Sequence, residues 1–413
     1  MSEPAVGFYG DDVTGSVDAL LQFTRRGWRG RLFTSLPSPS ALADAADDGD
    51  VVGIAGIARS LGPAALEAEV RPALAALAAL RPAVLQYKAC STVDSSPEVG
   101  SLGRVLEIGR DLTGARPVPL LFAQPDFGRY TVFGHHFAAD DGVVYRLDRQ
   151  PTMSRHPSTP MSESDIARHL GAQTALALTG IPLTSYTDAA DLARRIEACG
   201  ADAVVLDALD AHHLRLIGEA IGRLAPTAFV VGSGGLSAAI ADAAPRRPAP
   251  AAVAAASGPV LVVSGSRSPR TRRQTAAAAD AGWFVAPLPR DDREAAPARD
   301  ALRAGRSVVL ASDLGPDDDG ALDGLTRRAA RIVRTAVAAG ETRRVIVCGG
   351  DSSSRVVRLL GIRALSIAAN PWGNVALLRA HADGPLDGVE LLLKGGQVGD
   401  DDLFERVRTG GAP

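Results

Sequence analysis

A short apolar run that stops at polar residues, followed by a stretch with helical periodicity, recurs along almost the whole chain. That alternation is the mark of βαβ units and confines the chain to α/β architecture with mainly parallel sheets. In the first half the expected strands are Val6–Tyr9, Arg31–Thr34, Val51–Ala55, Ala83–Tyr87, Pro119–Phe122, Ala203–Leu206 and Phe229–Val231. Helical patterns lie between them at Ser16–Arg26, Pro63–Leu80, Val99–Leu112 and Ala189–Ala198. Ser162 followed by Asp165 reads as a capping box opening a helix toward Leu170. A second α/β series runs through Pro259–Val263, Trp283–Leu288, Ser307–Ala311, Arg344–Cys348 and Leu391–Leu393. Between the two series, Ala244–Ser257 is built of small and Pro-rich triplets without polar periodicity, as in an extended connector. The expected organisation is one domain over residues 1–245, a linker over 246–257 and a second domain over 258–413, with no internal repeat.

Composition narrows the classes of function. The chain has 413 residues, 46% of them apolar and 22% charged, enough for two real cores in a soluble globular protein. A net charge of −3 argues against a general binder of nucleic acid or acidic membranes, and 4% aromatics leave little for base stacking. Cys90, Cys199 and Cys348 are far apart and form no CxxC pair, which speaks against a disulfide framework or a structural zinc site. No basic leader precedes an apolar core in residues 1–30, and stretches such as Pro72–Leu80 are too short to span a bilayer. A cytoplasmic protein is expected.

Chemistry concentrates where strands end. Val6–Tyr9 runs into Gly10-Asp11-Asp12-Val13-Thr14-Gly15, with Asp18 in the helical stretch beyond. The C-terminal end of a strand is where open α/β sheets hold ligands. One acid there is explained by capping the helix; two adjacent carboxylates repel each other and ask for another reason. Arg59-Ser60 follows the third strand, and Lys88 through Pro97 follows the fourth with a cation, several hydroxyls and Asp94. Such a set suits a small polyhydroxylated anion: Arg59 and Lys88 against a carboxylate, Ser91, Asp94 and the aspartates against hydroxyls. The competing reading of Lys88–Pro97 is a Ser-rich loop capping a helix that starts at Ser96-Pro97. Arg155-His156 opens a Pro-punctuated loop with two further cationic candidates, while His135-His136 and His212-His213 lack the spacing of metal ligands. Asp317-Asp318-Asp319 reads as a solvated loop.

In the second half three glycine- and serine-rich turns follow strands: Ser264-Gly265-Ser266-Arg267-Ser268, Gly349-Gly350-Asp351-Ser352-Ser353-Ser354 and Lys394-Gly395-Gly396-Gln397-Val398-Gly399-Asp400. Glycine lets backbone N–H groups approach phosphates, and hydroxyls or a helix N-terminus add donors. No GxxxxGK[ST], GxGxxG or GxSxG occurs, and Gly10 stands where a phosphatase-type DxDxT would need its nucleophile.

Taken in order, these segments resemble the four-carbon acid sugar kinase family over nearly the whole chain. The markers are Gly10–Gly15 with Asp18, Arg59-Ser60, Lys88–Pro97, His156–Met161 with Glu163-Ser164-Asp165, and Val231–Leu236. In the second half they are Ser264–Ser268 with Thr271-Arg272-Arg273-Gln274, Gly349–Ser353 and Leu393–Asp400. The resemblance implies a sugar-acid-binding N-terminal domain and a nucleotide-binding C-terminal domain, with the active site in the cleft between them. ATP would be the donor, accompanied by Mg²⁺ held by phosphate oxygens and water; dedicated metal ligands are unknown. Ser264, Ser266, Gly349, Gly350, Asp351, Ser352, Gly395 and Gly396 would surround ATP. Asp11, Arg59, Lys88, Ser91 and Asp94 would bind the acid, and Asp12 would be the general base at its terminal hydroxyl, with Asp11 as the alternative base. The partners expected are a small-molecule sugar acid and at most a second copy in a homodimer, without nucleic acid or membrane. The chain departs from the family at Gly10, at Arg267 and at Asn370-Pro371-Trp372-Gly373-Asn374, read as replacing a plainer turn before a helix. Three rivals stand beside this reading: a kinase for another small carbohydrate acid or ketose, a non-catalytic sensor of acid and nucleotide, and a dehydrogenase or aldolase.

Overall fold

Val6–Gly10 (β1) is buried along all five residues, as a strand flanked on both sides must be. It belongs to a computed structural model that describes residues 3–224, 227–244, 248, 254–315, 322–373 and 375–410. Asp317–Asp319, Asn374 and most of the expected connector lie outside the described residues. The chain divides into two compact units, Met1–Ala249 and Pro250–Pro413. Among the described residues no helix is long and apolar enough to cross a membrane.

In the first unit β1 is followed by Gly30–Phe33 (β2), Val51–Ala55 (β3), Val84–Lys88 (β4) and Val118–Leu121 (β5). Three short strands come next, Arg129–Val132 (β6), His135–Asp140 (β7) and Val143–Arg146 (β8). Leu178–Ile181 (β9), Ala203–Leu206 (β10) and Ala228–Gly232 (β11) complete the unit. The order β2-β3-β1-β4-β11-β5-β10-β9 is parallel throughout, whereas β6-β7-β8 form an antiparallel meander. Its apolar strands are buried because helices cover them, as parallel sheets require. Register sets the working edge: Gly10 pairs with Ala55 and with Lys88, and Lys88 with Gly232. Four strands thus end level, and the chain crosses β1 between β3 and β4. That crossing makes the end of β1 a natural ligand position.

The second unit contains Val260–Ser264 (β12), Phe284–Pro287 (β13), Val308–Ala311 (β14), Arg344–Cys348 (β15), Ala364–Trp372 (β16), Val375–His381 (β17) and Glu390–Lys394 (β18). Within it the order is β13-β14-β12-β15-β18-β17-β16. The pairs are parallel up to β15–β18, while β17 runs antiparallel to both β18 and β16. Val262, Trp283, Ile346, Leu377, Leu392 and Phe404 meet in its core. Ala254 and Ala256, the last part of the expected connector, are hydrogen-bonded through their backbones to Arg344 and Arg408 of this unit.

Several local expectations need correction. The helix expected from a Ser162–Asp165 capping box begins at Ile166, and Asp165 is itself the N-cap, accepting from the Arg168 amide. Asp165 sits nearer the apolar start of the helix, so its carboxylate reaches the open amides first. No helix starts at Ser96-Pro97: the helix is Leu102–Thr113, capped by Ser101, because Gly100 at φ +62° turns the chain before it. Asn370–Gly373 precedes no helix but closes the β16–β17 hairpin, where the Asn370 side chain donates to the carbonyls of Gly373 and Val375.

Candidate functional site

The first cluster forms at the level edge of the first unit. Asp12 caps the helix Val13–Thr24 with its Oδ1, which accepts from the Gly15 amide at 2.6 Å. Asp11 turns inward and is 2% exposed. Arg59, on the turn after β3, answers the repulsion between the two acids. Its Nε and Nη2 hold the two Asp11 oxygens at 3.1 and 2.7 Å, and its Nη1 holds Asp12 Oδ2 at 2.8 Å. Burial works against the Arg59 charge, but Asp11 and Asp12 outweigh it and keep its pKa well above the ordinary value. Lys88 ends β4 nearly buried, donating to Ala89 O at 2.9 Å with Asp18 Oδ2 at 3.9 Å. Asp18 also accepts from Gln22 and Gln124. The α-carbon of Gly15 marks the centre. A methyl added there would come within 2.5 Å of Asp12 Oδ1, 3.2 Å of Lys88 Nζ and 3.4 Å of Arg59 Nη2.

The loop after β4 brings the remaining residues. Asp94 accepts from the Thr92 hydroxyl at 2.7 Å. Ser91 is fixed through its carbonyl, which takes a 2.7 Å bond from His136 Nε2. That bond makes Nε2 the protonated nitrogen, so Nδ1 accepts from Thr131, the residue directly opposite on β6. Burial pushes the pKa of His136 down to about 4.

A second cluster lies within the second unit, where the turns after β12, β15 and β18 converge. A methyl on Gly265 would meet Ser352 Oγ at 2.5 Å, and one on Gly396 would meet Ser266 Oγ at 2.9 Å. Gly349 adopts φ +114°, a conformation that other residues rarely adopt, and this swings the chain straight into the helix Gly350–Leu360. Among the described residues no side chain caps that helix, which leaves its first amides available. Among the described residues beyond the chain neighbours and the helix's own backbone, a methyl on Gly350 would meet no atom within 4 Å, and one on Gly395 would meet Val398 alone at 3.5 Å. Thr271 ties the turns together: its hydroxyl reaches Ser266 Oγ and Gly396 O and accepts from Lys394 Nζ at 3.0 Å. Burial lowers the pKa of Lys394. Ser264 supports the turn by accepting from the Ser266 amide. Asp351 lies in the first helical turn, with its side chain outside the described part. Amide, hydroxyl and ammonium groups in this arrangement are donors suited to a chain of phosphates. Beside them a cavity of about 510 Å³ is lined by Arg267, Pro287, Leu288, Arg290, Ser312 and Leu325, among others.

Of the residues singled out from the sequence, Asp11, Asp12, Arg59 and Lys88 meet in one place, as do Ser264, Ser266, Gly349, Ser352 and Gly396 in another. Thr271, Lys394, His136 and Gln124 were not singled out as site residues. The first two fell inside family-like segments, and His136 was weighed only as a metal ligand.

Fold and clusters together define a two-unit α/β protein that gathers carboxylates and cations at one sheet edge and glycine-serine turns at another. Residues 6–240 match the family described as a sugar-binding N-terminal domain, and residues 261–404 match the one described as a nucleotide-binding C-terminal domain. Over 98% of its length the chain is 39% identical to a Paraburkholderia graminis protein named 3-oxo-isoapionate kinase, covering 94% of that protein. It is 32% identical to a Bordetella bronchiseptica D-threonate kinase and to a Cupriavidus necator 3-oxo-tetronate kinase, over 98% of this chain and 97% and 96% of theirs. A crystal structure from Salmonella typhimurium LT2 shares the fold at TM-score 0.80 and 24% identity, covering 97% of both chains. A Bordetella bronchiseptica structure, 28% identical over 98% of both chains at TM-score 0.50, holds citrate and is a domain-swapped dimer. The chain belongs to the four-carbon acid sugar kinase family.

Proposed function

We propose that the chain is an ATP-dependent kinase that phosphorylates the terminal hydroxyl of a short sugar acid of the threonate, erythronate or 3-oxo-tetronate type. The observation that carries this reading is the convergence of three glycine-serine turns on a helix start that, among the described residues, no side chain caps. Relatives named for 3-oxo-isoapionate, D-threonate and 3-oxo-tetronate support the substrate class.

Phosphoryl transfer asks for positioning and charge neutralisation more than for covalent chemistry. The phosphates of ATP lie against Ser264, Ser266, Gly349, Gly350, Ser352, Gly395 and Gly396, with Asp351 in the same helical turn as Gly350 and Ser352. The base enters the cavity beside Arg267, whose apolar wall is Pro287, Leu288 and Leu325. Mg²⁺ would ride on phosphate oxygens and water and neutralise their charge. The sugar acid sits against Asp11, Asp12, Arg59, Lys88, Ser91 and Asp94. Asp12 takes the hydroxyl proton: its side chain is 30% exposed, whereas that of Asp11 is 3% exposed with both oxygens on Arg59. The reaction belongs where ATP is plentiful, in the cytoplasm. A second copy of the chain is the partner this reading includes, after the dimer of the Bordetella neighbour. The test is coupled ADP release over a panel of four- and five-carbon sugar acids, branched and 3-oxo acids included. Turnover with at least one acid is expected, and ADP release that no acid stimulates sinks the reading.

A further inference from the structure

Both cations aimed by the sequence at a substrate carboxylate are already engaged by protein groups. Arg59 commits Nε, Nη1 and Nη2 to Asp11 and Asp12, and the Lys88 ammonium is buried between Ala89 O and Asp18. A sugar acid would add a negative charge to an edge that already holds the carboxylates of Asp11, Asp12 and Asp18. A cation not yet neutralised has to meet it, and the fold brings Arg129 there.

Arg129 is the first residue of β6, and its backbone pairs in both directions with Gln124, at 2.9 and 3.2 Å. Gln124 is the residue whose side chain holds Asp18. The Arg129 Nη1 donates to Phe127 O at 3.0 Å and Ala139 O at 2.9 Å, with Gly128 O at 3.5 Å, which fixes the guanidinium in place. Among the described residues it has no carboxylate partner, and its buried Nε has no acceptor. Nor, among the described residues, does its Nη2 make a hydrogen bond. The acidic groups that act on its charge are Cys90, Asp140 and Asp94. Two of the three belong to the loop that carries Ser91. Burial lowers the pKa of this guanidinium, yet arginine keeps its proton in proteins, so the lone charge is a standing cost that an anion relieves.

We infer that Arg129 is the residue that reads the carboxylate of the sugar acid, offering Nη2 to it while Nη1 anchors the side chain to the meander. This rests on the sugar-acid reading above and names the group that makes an acid, rather than a polyol, the substrate.

The experiment compares the full-length chain with Arg129→Gln and Arg129→Lys in the ADP-release assay. Losing a charge-assisted contact should raise the KM for the acid by about 10- to 100-fold. The KM for ATP and the inhibition constant of the polyol with the same hydroxyls should stay unchanged, and Arg129→Lys should recover part of the loss. An acid KM within about twofold of wild type in Arg129→Gln overturns the inference. Should that variant not fold, phenylglyoxal labelling of the wild-type protein decides. Saturating sugar acid should protect Arg129, and labelling that proceeds unchanged while the acid is turned over overturns the inference. A wild-type chain that no acid stimulates overturns the kinase reading itself, a different result from an active enzyme indifferent to Arg129.

Discussion

Asp11 and Asp12 are neighbours with the same side chain, and their surroundings divide them. Asp11 is locked to Arg59 through both oxygens; Asp12 caps Gly15 with one oxygen and shares the other with Arg59, keeping part of its carboxylate open. Asp12→Asn keeps the shape and can still accept from Gly15 but cannot take a proton. It should lower kcat by on the order of 10²-fold and leave the KM for ATP unchanged, measured by steady-state ADP release. Gly350→Val is its complement. Among the described residues no atom beyond the chain neighbours and the helix's own backbone stands within 4 Å of the added carbon, so melting should shift little while the KM for ATP rises. An unchanged ATP KM would remove Gly350 from the phosphate site. At this scale the aspartates and the turns were legible because each terminates an apolar run. Arg129 was not. Which arginine lacks a counter-ion depends on pairings between residues far apart in sequence, as when Arg59 reaches back to Asp11.

Among elements, the parallel strands were readable except the edge strand β9, and the antiparallel strands β6–β8, β16 and β17 were not. Val51–Ala55, Ala203–Leu206 and Arg344–Cys348 are fully buried runs with apolar signals to match. The β6–β8 meander is short, half-polar and exposed at Val143 and Val144, so its alternation is weak, and its first turn is held by Asp207 from the end of β10. The β16–β17 hairpin carries Asn370 and Pro371 with irregular register, which reads as a turn. The meander bears on the site through His136, whose Nε2 holds Ser91 O. Unfolded, this imidazole titrates near its ordinary 6.5; folded, burial holds it to about 4. Between those values only the unfolded chain takes up the proton, so the contribution is whole above pH 6.5 and fades as pH falls toward 4. Its full size is about 3 kcal/mol. Urea midpoints of wild type and His136→Gln should therefore diverge in pH slope below 6.5, and parallel slopes would remove His136 as the source.

On the scale of the whole molecule, the proposed function gives each of the two units a donor set for a different ligand chemistry. The first has paired carboxylates and arginines for a hydroxylated anion; the second has open amides and hydroxyls for phosphates. This division was legible because residue types change along the chain: acids and cations end the early strands, while glycine and serine end the late ones. A division of labour has a thermodynamic signature, since a ligand stabilises the segment it touches. At a hundredfold excess over its Kd the stabilisation is about 2.7 kcal/mol, enough to slow local amide exchange visibly. A non-hydrolysable ATP analogue should then slow exchange at amides 350–353 and 266–268, where backbone donors surround the open turns. The sugar acid should slow exchange at amides 12–16 and along 91–95, with Arg129→Gln weakening that protection alone. Combining Arg129→Gln with the ATP analogue should leave the pattern in the second unit as in wild type, because the Arg129 contacts all lie in the first. Protection of residues 12–16 by the ATP analogue, with residues 350–353 unaffected, would reverse the assignment of ligands to units.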